Sequence, residues 1–372
     1  MSPDNKKKRV VIKIGSSSLT SMHGEISRRK LERLVDEVVR LKDDGHEVLL
    51  VSSGAVAAGY RKLGCLERPS SLPEKQAAAA IGQGLLIEAY SDLFLSHGYV
   101  ASQILITRSD FSDENRYNNA RNTINVLLER GIIPIVNEND TVTIDRLKFG
   151  DNDTLSAKVA ALVDADQLVI LSDIDGLYDS DPRKNPNASL LDQVEEITKN
   201  IEDMAGEPGS SVGTGGMRSK IDAFKITMAA GIPAFLGKSG IPNIIYDAVQ
   251  RTAKGTYFES KDETANLDSR QQWIAFNSGP EGQIIIKDNA KQRILNQTGG
   301  LNLYDIEDVS GQFKKGAVVR ILDSNQEEIA LGIVNYTAED LLNENEDFDA
   351  NDEAVSIDHL VCHVEVSLPV GL

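Results

Sequence analysis

The chain has 372 residues, with 57 acidic against 39 basic side chains and a net charge of −18. That length exceeds one ordinary core and points to two domains or three. The acidic balance excludes a general binder of phosphate backbones, while leaving room for one basic pocket for a small anion. Cys65 and Cys362 stand far apart, so there is no disulfide framework and no zinc ribbon, and reduced thiols fit a cytosolic protein. The apolar run at 10–14 is interrupted by Lys13 and is too short for a signal peptide. No stretch nears the ~20 apolar residues of a membrane span, and the expectation is a cytoplasmic protein with no membrane partner.

The first two-thirds of the chain alternate short apolar runs with helical patterns. Residues 10–14 read as a strand. Residues 27–44 place Leu31, Leu34, Val35, Val38 and Leu41 on one helix face, between Ser27 as N-cap and Gly45 past the end. A buried strand at 46–52 follows, then an alanine-rich helix at 73–97, a strand at 100–106 and a helix at 115–130. Strands at 132–136 and 167–171 enclose a helix at 153–163. A helix at 216–230 leads through Gly231 and Pro233 to a strand at 234–236. This alternation predicts a mostly parallel sheet covered by helices. After Phe258 the pattern changes. Residues 261–272 are polar and read as a linker, and the runs at 283–286, 317–322, 328–334 and 359–366 are short and β-like, which predicts a separate β-rich domain. Residues 341–353 are acidic with few apolar anchors and read as a loop.

In such a sheet ligands gather beyond the carboxyl ends of the strands. The first run closes Lys13-Ile14-Gly15-Ser16-Ser17-Ser18. The glycine lets backbone N–H groups approach an anion and the serines add donors; Lys13 is either a strand-end lysine reaching for water or an anion contact. No Gly-Lys-Ser/Thr follows a glycine-spaced turn, so this is not a Walker loop. The second run closes Ser52-Ser53-Gly54-Ala55 before an apolar helix, an anion cradle or an ordinary cap. Asn137-Glu138-Asn139-Asp140 reads by itself as an Asx turn. Gly150-Asp151-Asn152-Asp153 opens a helix soon after, and two Asn/Asp clusters at two strand–helix junctions suit an ammonium group or a magnesium-bound phosphate. The fifth run closes Ser172-Asp173-Ile174-Asp175-Gly176. Finally, Gly213-Thr214-Gly215-Gly216-Met217-Arg218-Ser219-Lys220 sets three glycines before a helix with a lysine in its first turn, in physical terms a phosphate cradle.

Taken in order, the motifs at 11–17, 52–56, 137–140, 149–153, 172–178 and 213–217 resemble the amino-acid kinase family, and within it the branch that phosphorylates L-glutamate. Residues 282–321 resemble a PUA domain, which that branch often carries. The resemblance implies a three-layer αβα sandwich with a mostly parallel sheet at 1–258, a linker at 259–276 and a small β-rich PUA-like domain at 277–372. It implies transfer of a phosphoryl group from ATP to the γ-carboxylate of L-glutamate, the first step of proline biosynthesis. Mg²⁺ would arrive with the nucleotide, and no protein metal ligand is assigned. By position, Lys13, Lys220 and Asp153 would be catalytic, the lysines on the transferring phosphate and Asp153 orienting them. Ser53, Gly54, Asn137, Asp140 and Asn152 would bind glutamate, with Asp140 the partner of its α-ammonium. Lys13, Ser172, Asp173 and the run Thr214, Gly215, Gly216, Met217, Arg218, Ser219 and Lys220 would bind the nucleotide. Ser219 stands where the family more often has threonine. The resemblance further implies a homo-oligomer, dimer or tetramer, and feedback inhibition by proline.

The nearest alternative is another acceptor within the family: aspartate, N-acetylglutamate, carbamate or a nucleoside monophosphate. Asp140 argues for a free ammonium, because an acetylated amine would leave that carboxylate unmatched. An RNA-binding PUA protein is the alternative from another class, and charge opposes it. From Asn277 on the net charge is −12 (six basic against eighteen acidic residues), and no Lys or Arg follows Arg320. No nucleic-acid partner is therefore expected. His359 and His363 have helical i,i+4 spacing, but their apolar neighbours favour a strand, so they read as surface histidines rather than a metal site. Cys65 reads as packing.

Overall fold

Val10, Val11, Ile12 and Ile14 are wholly buried, as are Val48, Leu49, Leu50 and Val51, which requires strands covered on both faces. The computed structural model describes residues 6–21, 25–143, 152–182, 185–204, 216–259, 267–342, 349 and 352–362. It divides into two units, Met1–Asp110 with Glu114–Asn266, and Phe111–Asp113 with Leu267–Leu372.

The first unit holds an eight-stranded sheet of β1 (Arg9–Ile14), β2 (Glu47–Ser52), β3 (Ala101–Ile106), β4 (Ile133–Glu138), β5 (Gln167–Ser172), β6 (Gln193–Val194), β7 (Ala234–Lys238) and β8 (Thr256–Phe258). The order across the sheet is β3-β4-β2-β1-β5-β7-β8-β6. From β3 to β7 every neighbouring pair is parallel, and β8 runs antiparallel to β7. Ile14 lies opposite Ser52 on one side and Leu171 on the other, so the loops after β1, β2 and β5 leave the sheet at one level. Among the described residues the helices are α1 (Ser16–Leu19), α2 (Arg28–Asp43), α3 (Ala55–Gly59), α4 (Leu72–Ser96), α5 (Arg108–Ser112), α6 (Glu114–Glu129), α7 (Asn152–Leu162), α8 (Lys199–Met204), α9 (Met217–Ala229) and α10 (Ile244–Val249). The long helices and the parallel strands β1 to β5 and β7 fall within a residue or two of the sequence reading, which is the ordinary uncertainty of element ends, whereas the short strands β6 and β8 had no counterpart in it.

Strand alternation sorts the two faces. Val10, Ile12 and Ile14 join one core with Leu31, Leu34, Val35 and Val38 of α2, Tyr90 and Phe94 of α4, and Ile245 and Val249 of α10. Val11 and Lys13 therefore face the other way, where α7 packs against β1 and α9. Helices on both faces of the sheet make the three-layer αβα sandwich.

The second unit carries α11 (Ser269–Phe276), β9 (Gly282–Ile286), α12 (Asp288–Leu295), β10 (Leu301–Asn302), β11 (Ile306–Gly311), β12 (Val318–Leu322), β13 (Glu328–Ile333), α13 (Ala338–Leu342), β14 (Glu353–Val355) and β15 (Leu360–Cys362). One sheet has the order β11-β9-β12-β13-β15 and a second pairs β10 with β14. Ile284, Ile286, Val319, Ile321 and Ile329 face Ala290 and Ile294 of α12 in its core. Two readings change here. Residues 269–272, taken as linker, open α11, which the Asp268 carboxylate caps by accepting from the Arg270 and Gln271 N–H groups. His359 closes a 3₁₀ turn rather than sitting in a strand, and His363 lies outside the described residues. No helix among the described residues is long and apolar enough to cross a membrane.

Candidate active site

β1 delivers Lys13 to the face covered by α7, and the first turn of α7 delivers Asp153 to meet it. Lys13 Nζ stands 2.6 Å from Asp153 Oδ1. Lys220, in the first turn of α9, donates from Nζ to Asp153 Oδ2 at 2.9 Å. Asp153 has no exposed surface, and Lys13 and Lys220 are 5% and 4% exposed. Burial pushes the Asp153 pKa up, but the two lysine charges outweigh it and hold the carboxyl below the usual carboxylate range. The Ser219 hydroxyl adds a contact at 3.3 Å to Asp153 Oδ2. Two ammonium groups thus share one carboxylate at the carboxyl end of the central strands, where α9 also aims its N-terminus from Gly216. That is an environment for a polyanion.

Asn152, one residue before Asp153, joins the ends of two strands, β2 and β4. Its Nδ2 lies 2.8 Å from the Ser52 carbonyl oxygen, 2.8 Å from Ser53 Oγ and 2.9 Å from Asn137 Oδ1. The Ser52 carbonyl can only accept, so the amide nitrogen must face it. Asn137 Oδ1 also accepts from the Glu138 N–H at 2.9 Å, which fixes that amide in turn. Gly54 then turns the chain into α3 with φ +99°, a conformation that L side chains rarely adopt, and stands beside Ser16. The Ser52 hydroxyl shares a 3.2 Å hydrogen bond with the wholly buried Tyr90 hydroxyl of α4. A small cavity lined by Ser52, Gln83, Tyr90, Gln103 and Asn137 lies behind this network.

The residues named from the sequence thus fall into two groups and a remainder. Lys13, Asp153, Ser219 and Lys220 meet around one carboxylate. Ser53, Asn137 and Asn152 meet through one amide, with Gly54 next in the chain. Asn137 belongs to β4 and is buried, so the strand runs through a residue read as part of a turn; Asp140 follows in the turn itself, partly exposed. Ser172 ends β5, its hydroxyl donating to Asp173 Oδ1 at 3.1 Å and its carbonyl accepting from Ser239 N–H at 2.9 Å. Gly216 and Met217 open α9, and Arg218 pairs with Glu202 at 3.5 Å and Asp222 at 3.3 Å. Thr214 and Gly215 lie outside the described residues, as do Gly150 and Asp151. The sequence reading did not single out Tyr90, Gln83 or Lys158. Lys158 is 5% exposed on α7, and burial together with the Arg108 charge pushes it down to about 7. A lysine inside the apolar run Leu155 to Leu162 was the signal available for it.

Residues 8–238 match the model of the amino acid kinase family, and residues 282–358 match the PUA domain. Glutamate 5-kinase 2 of Bacillus subtilis strain 168 is 64% identical over 372 residues, covering all of both chains. Glutamate 5-kinase 2 of Bacillus licheniformis is 63% identical over 367 residues, 97% of this chain and 98% of that one. Among solved structures, a carbamate kinase from Giardia lamblia bound to AMP-PNP superposes with a TM-score of 0.51 at 17% identity, over 69% of this chain and all of that one. That last likeness concerns the fold.

Proposed function

Since the chain belongs to the amino acid kinase family, we propose that it transfers the γ-phosphoryl group of ATP to the γ-carboxylate of L-glutamate, forming L-glutamyl 5-phosphate and ADP. A γ-carboxylate oxygen attacks the γ-phosphorus, and the bond from that phosphorus to the β,γ-bridging oxygen breaks. The nucleophile, with a reference pKa of about 4.3, is already ionised near neutral pH and needs no general base. The difficulty is electrostatic: two unit charges 4 Å apart repel by about 4 kcal/mol at an effective dielectric of 20.

The observation that carries the proposal is the pair of buried lysines on Asp153. Asp153 keeps Lys13 and Lys220 apart and aimed, so both ammonium groups can follow charge onto the transferring phosphoryl oxygens. Ser53, Asn137 and Asn152, with the Gly54 turn, form the acceptor side, and Asp140 takes the α-ammonium. Ser172, Asp173 and the start of α9 take the nucleotide. Mg²⁺ supplies charge on the ATP phosphates and travels with them; both oxygens of Asp153 already face lysines, which suits this cluster to phosphate rather than to a bare cation. Proline carries an ammonium and a carboxylate in the spacing of glutamate's α-end, so the acceptor side is also the reading for feedback inhibition.

ADP release is the test, with L-glutamate, L-aspartate, N-acetyl-L-glutamate, carbamate and UMP as acceptors and hydroxylamine to trap an acyl phosphate. L-Glutamate should be turned over fastest and give the hydroxamate. A faster acceptor, or no glutamate-dependent ADP, would overturn the proposal.

A further inference from the structure

The turn after β5 is held at both ends, and the second clamp lies in no motif. At its start, Ser172 pairs with β7 through the Ser239 N–H. Five residues later, the Leu177 N–H donates to Thr256 Oγ1 at 2.8 Å, and the same hydroxyl donates to the Leu191 carbonyl at 2.6 Å. Leu191 N–H in turn donates to the Leu177 carbonyl at 2.8 Å, so one buried hydroxyl closes the base of the excursion that leaves β5 and returns at Leu191. The approach is tight from both sides. A Cβ at Gly176 would stand 2.6 Å from Thr256 Oγ1, and one at Gly255 would stand 2.5 Å from the Leu236 carbonyl of β7. A hydroxyl with both its donor and an acceptor site used on backbone groups is not interchangeable with a methyl, because each lost bond leaves a buried backbone group unmatched.

We propose that Thr256 is a positioning residue for the nucleotide: its hydroxyl sets the path of the Asp173–Gly176 turn and so the placement of Ser172 and Asp173. This rests on the proposed role of that turn in holding ATP. The acceptor network around Asn152 is built from β2, β4 and α7 and shares no hydrogen bond with Thr256. Loss of the hydroxyl should therefore separate the two substrates kinetically.

Steady-state kinetics of the full chain test this, with MgATP and L-glutamate varied in turn. Thr256→Val, which keeps shape and removes both hydrogen bonds, should raise KM for MgATP about tenfold and leave KM for glutamate within about twofold. Thr256→Ser should restore the wild-type value, which a purely steric role would not predict. Thr256→Ala replaces the valine variant if that chain does not fold. An unchanged KM for MgATP, or an equal rise for both substrates, overturns the proposal. Asp173→Ala separates the premises. If Asp173→Ala leaves KM for MgATP unchanged, the reading of the turn fails and the proposal with it. If Asp173→Ala raises that KM and Thr256→Val does not, the proposal fails alone.

Discussion

Asp153 of the first unit and Asp305 of the second are both without exposed surface, and they are neutralised differently. Asp305 closes the 3₁₀ turn Leu303–Asp305: it accepts from the Asn302 N–H at 3.0 Å and from the Arg293 guanidinium. Asp323, also buried, follows the same plan with Lys291 at 2.6 Å and the Asn325 and Glu327 N–H groups at 2.9 Å. The Lys291 hydrogen bond leads in holding its carboxyl below the usual range. Each of these carboxylates completes a local turn and takes one side-chain cation. Asp153 instead gathers two lysines from elements remote in sequence, at the mouth of a parallel sheet. One cation neutralises Asp305 and one Asp323, whereas the two on Asp153 leave a surplus of positive charge at the strand ends, which suits the anion the proposed function places there.

The largest effect that could break this contrast is on turnover. Lys13→Ala or Lys220→Ala should lower kcat about 10²-fold or more, the loss expected for a donor that follows charge into the transition state. Unfolding should change little, because the remaining lysine still faces Asp153. Near-normal kcat in a folded variant would remove that lysine from the chemistry. Arg293→Met is the counterpart in the second unit. Its side chain is about a quarter exposed, so the destabilisation should be about 2 kcal/mol rather than the full cost of breaking a buried pair. Denaturant unfolding measures it, and kcat and both KM values should hold. A fall in kcat to match Lys13→Ala would erase the distinction between the two kinds of pair.

Asp140→Ala sharpens the same contrast inside the first unit. KM for glutamate should rise about tenfold, as for loss of one charge-assisted contact, with kcat within about twofold. An unchanged KM would take the α-ammonium away from Asp140.

How much of this was visible in the sequence follows from range. Lys13 stood out as the one charge in an apolar run, and Gly216 to Lys220 as a helix start, because both are local patterns. The clamp by Asn152 was not visible, since its amide reaches the Ser52 carbonyl a hundred positions away. Asn137 and Glu138 read as turn residues in the sequence because polar side chains rarely extend a buried strand; here Asn137 does so with its amide oxygen satisfied by Asn152 and by the Glu138 N–H. α1, α3, α5 and α10 span four to six residues, too few to show a helical period. α11 had a readable signal in Asp268 and Gln271, a capping box hidden by the polarity around it.

Lys158 approaches the comparison from the opposite side, and its effect is read in the pH dependence of stability rather than in turnover. It shares α7 with Asp153 and is as deeply buried as Lys13, yet burial, with the Arg108 charge adding to it, pushes its pKa to about 7. In the unfolded chain a lysine keeps its proton to about 10.4. Between those values the unfolded state binds more protons than the folded one, so stability should rise with pH, by up to about 1.4 kcal/mol per pH unit, and the penalty should be full below about 7. Lys158→Met removes the titrating group and keeps an apolar stem of similar length. Urea unfolding at a series of pH values from neutral to alkaline should then show a flatter dependence for the variant than for the parent chain, and greater stability of the variant at neutral pH. Parallel slopes would mean that Lys158 keeps its charge in the folded state, and that α7 accommodates a third buried ammonium beside the pair on Asp153.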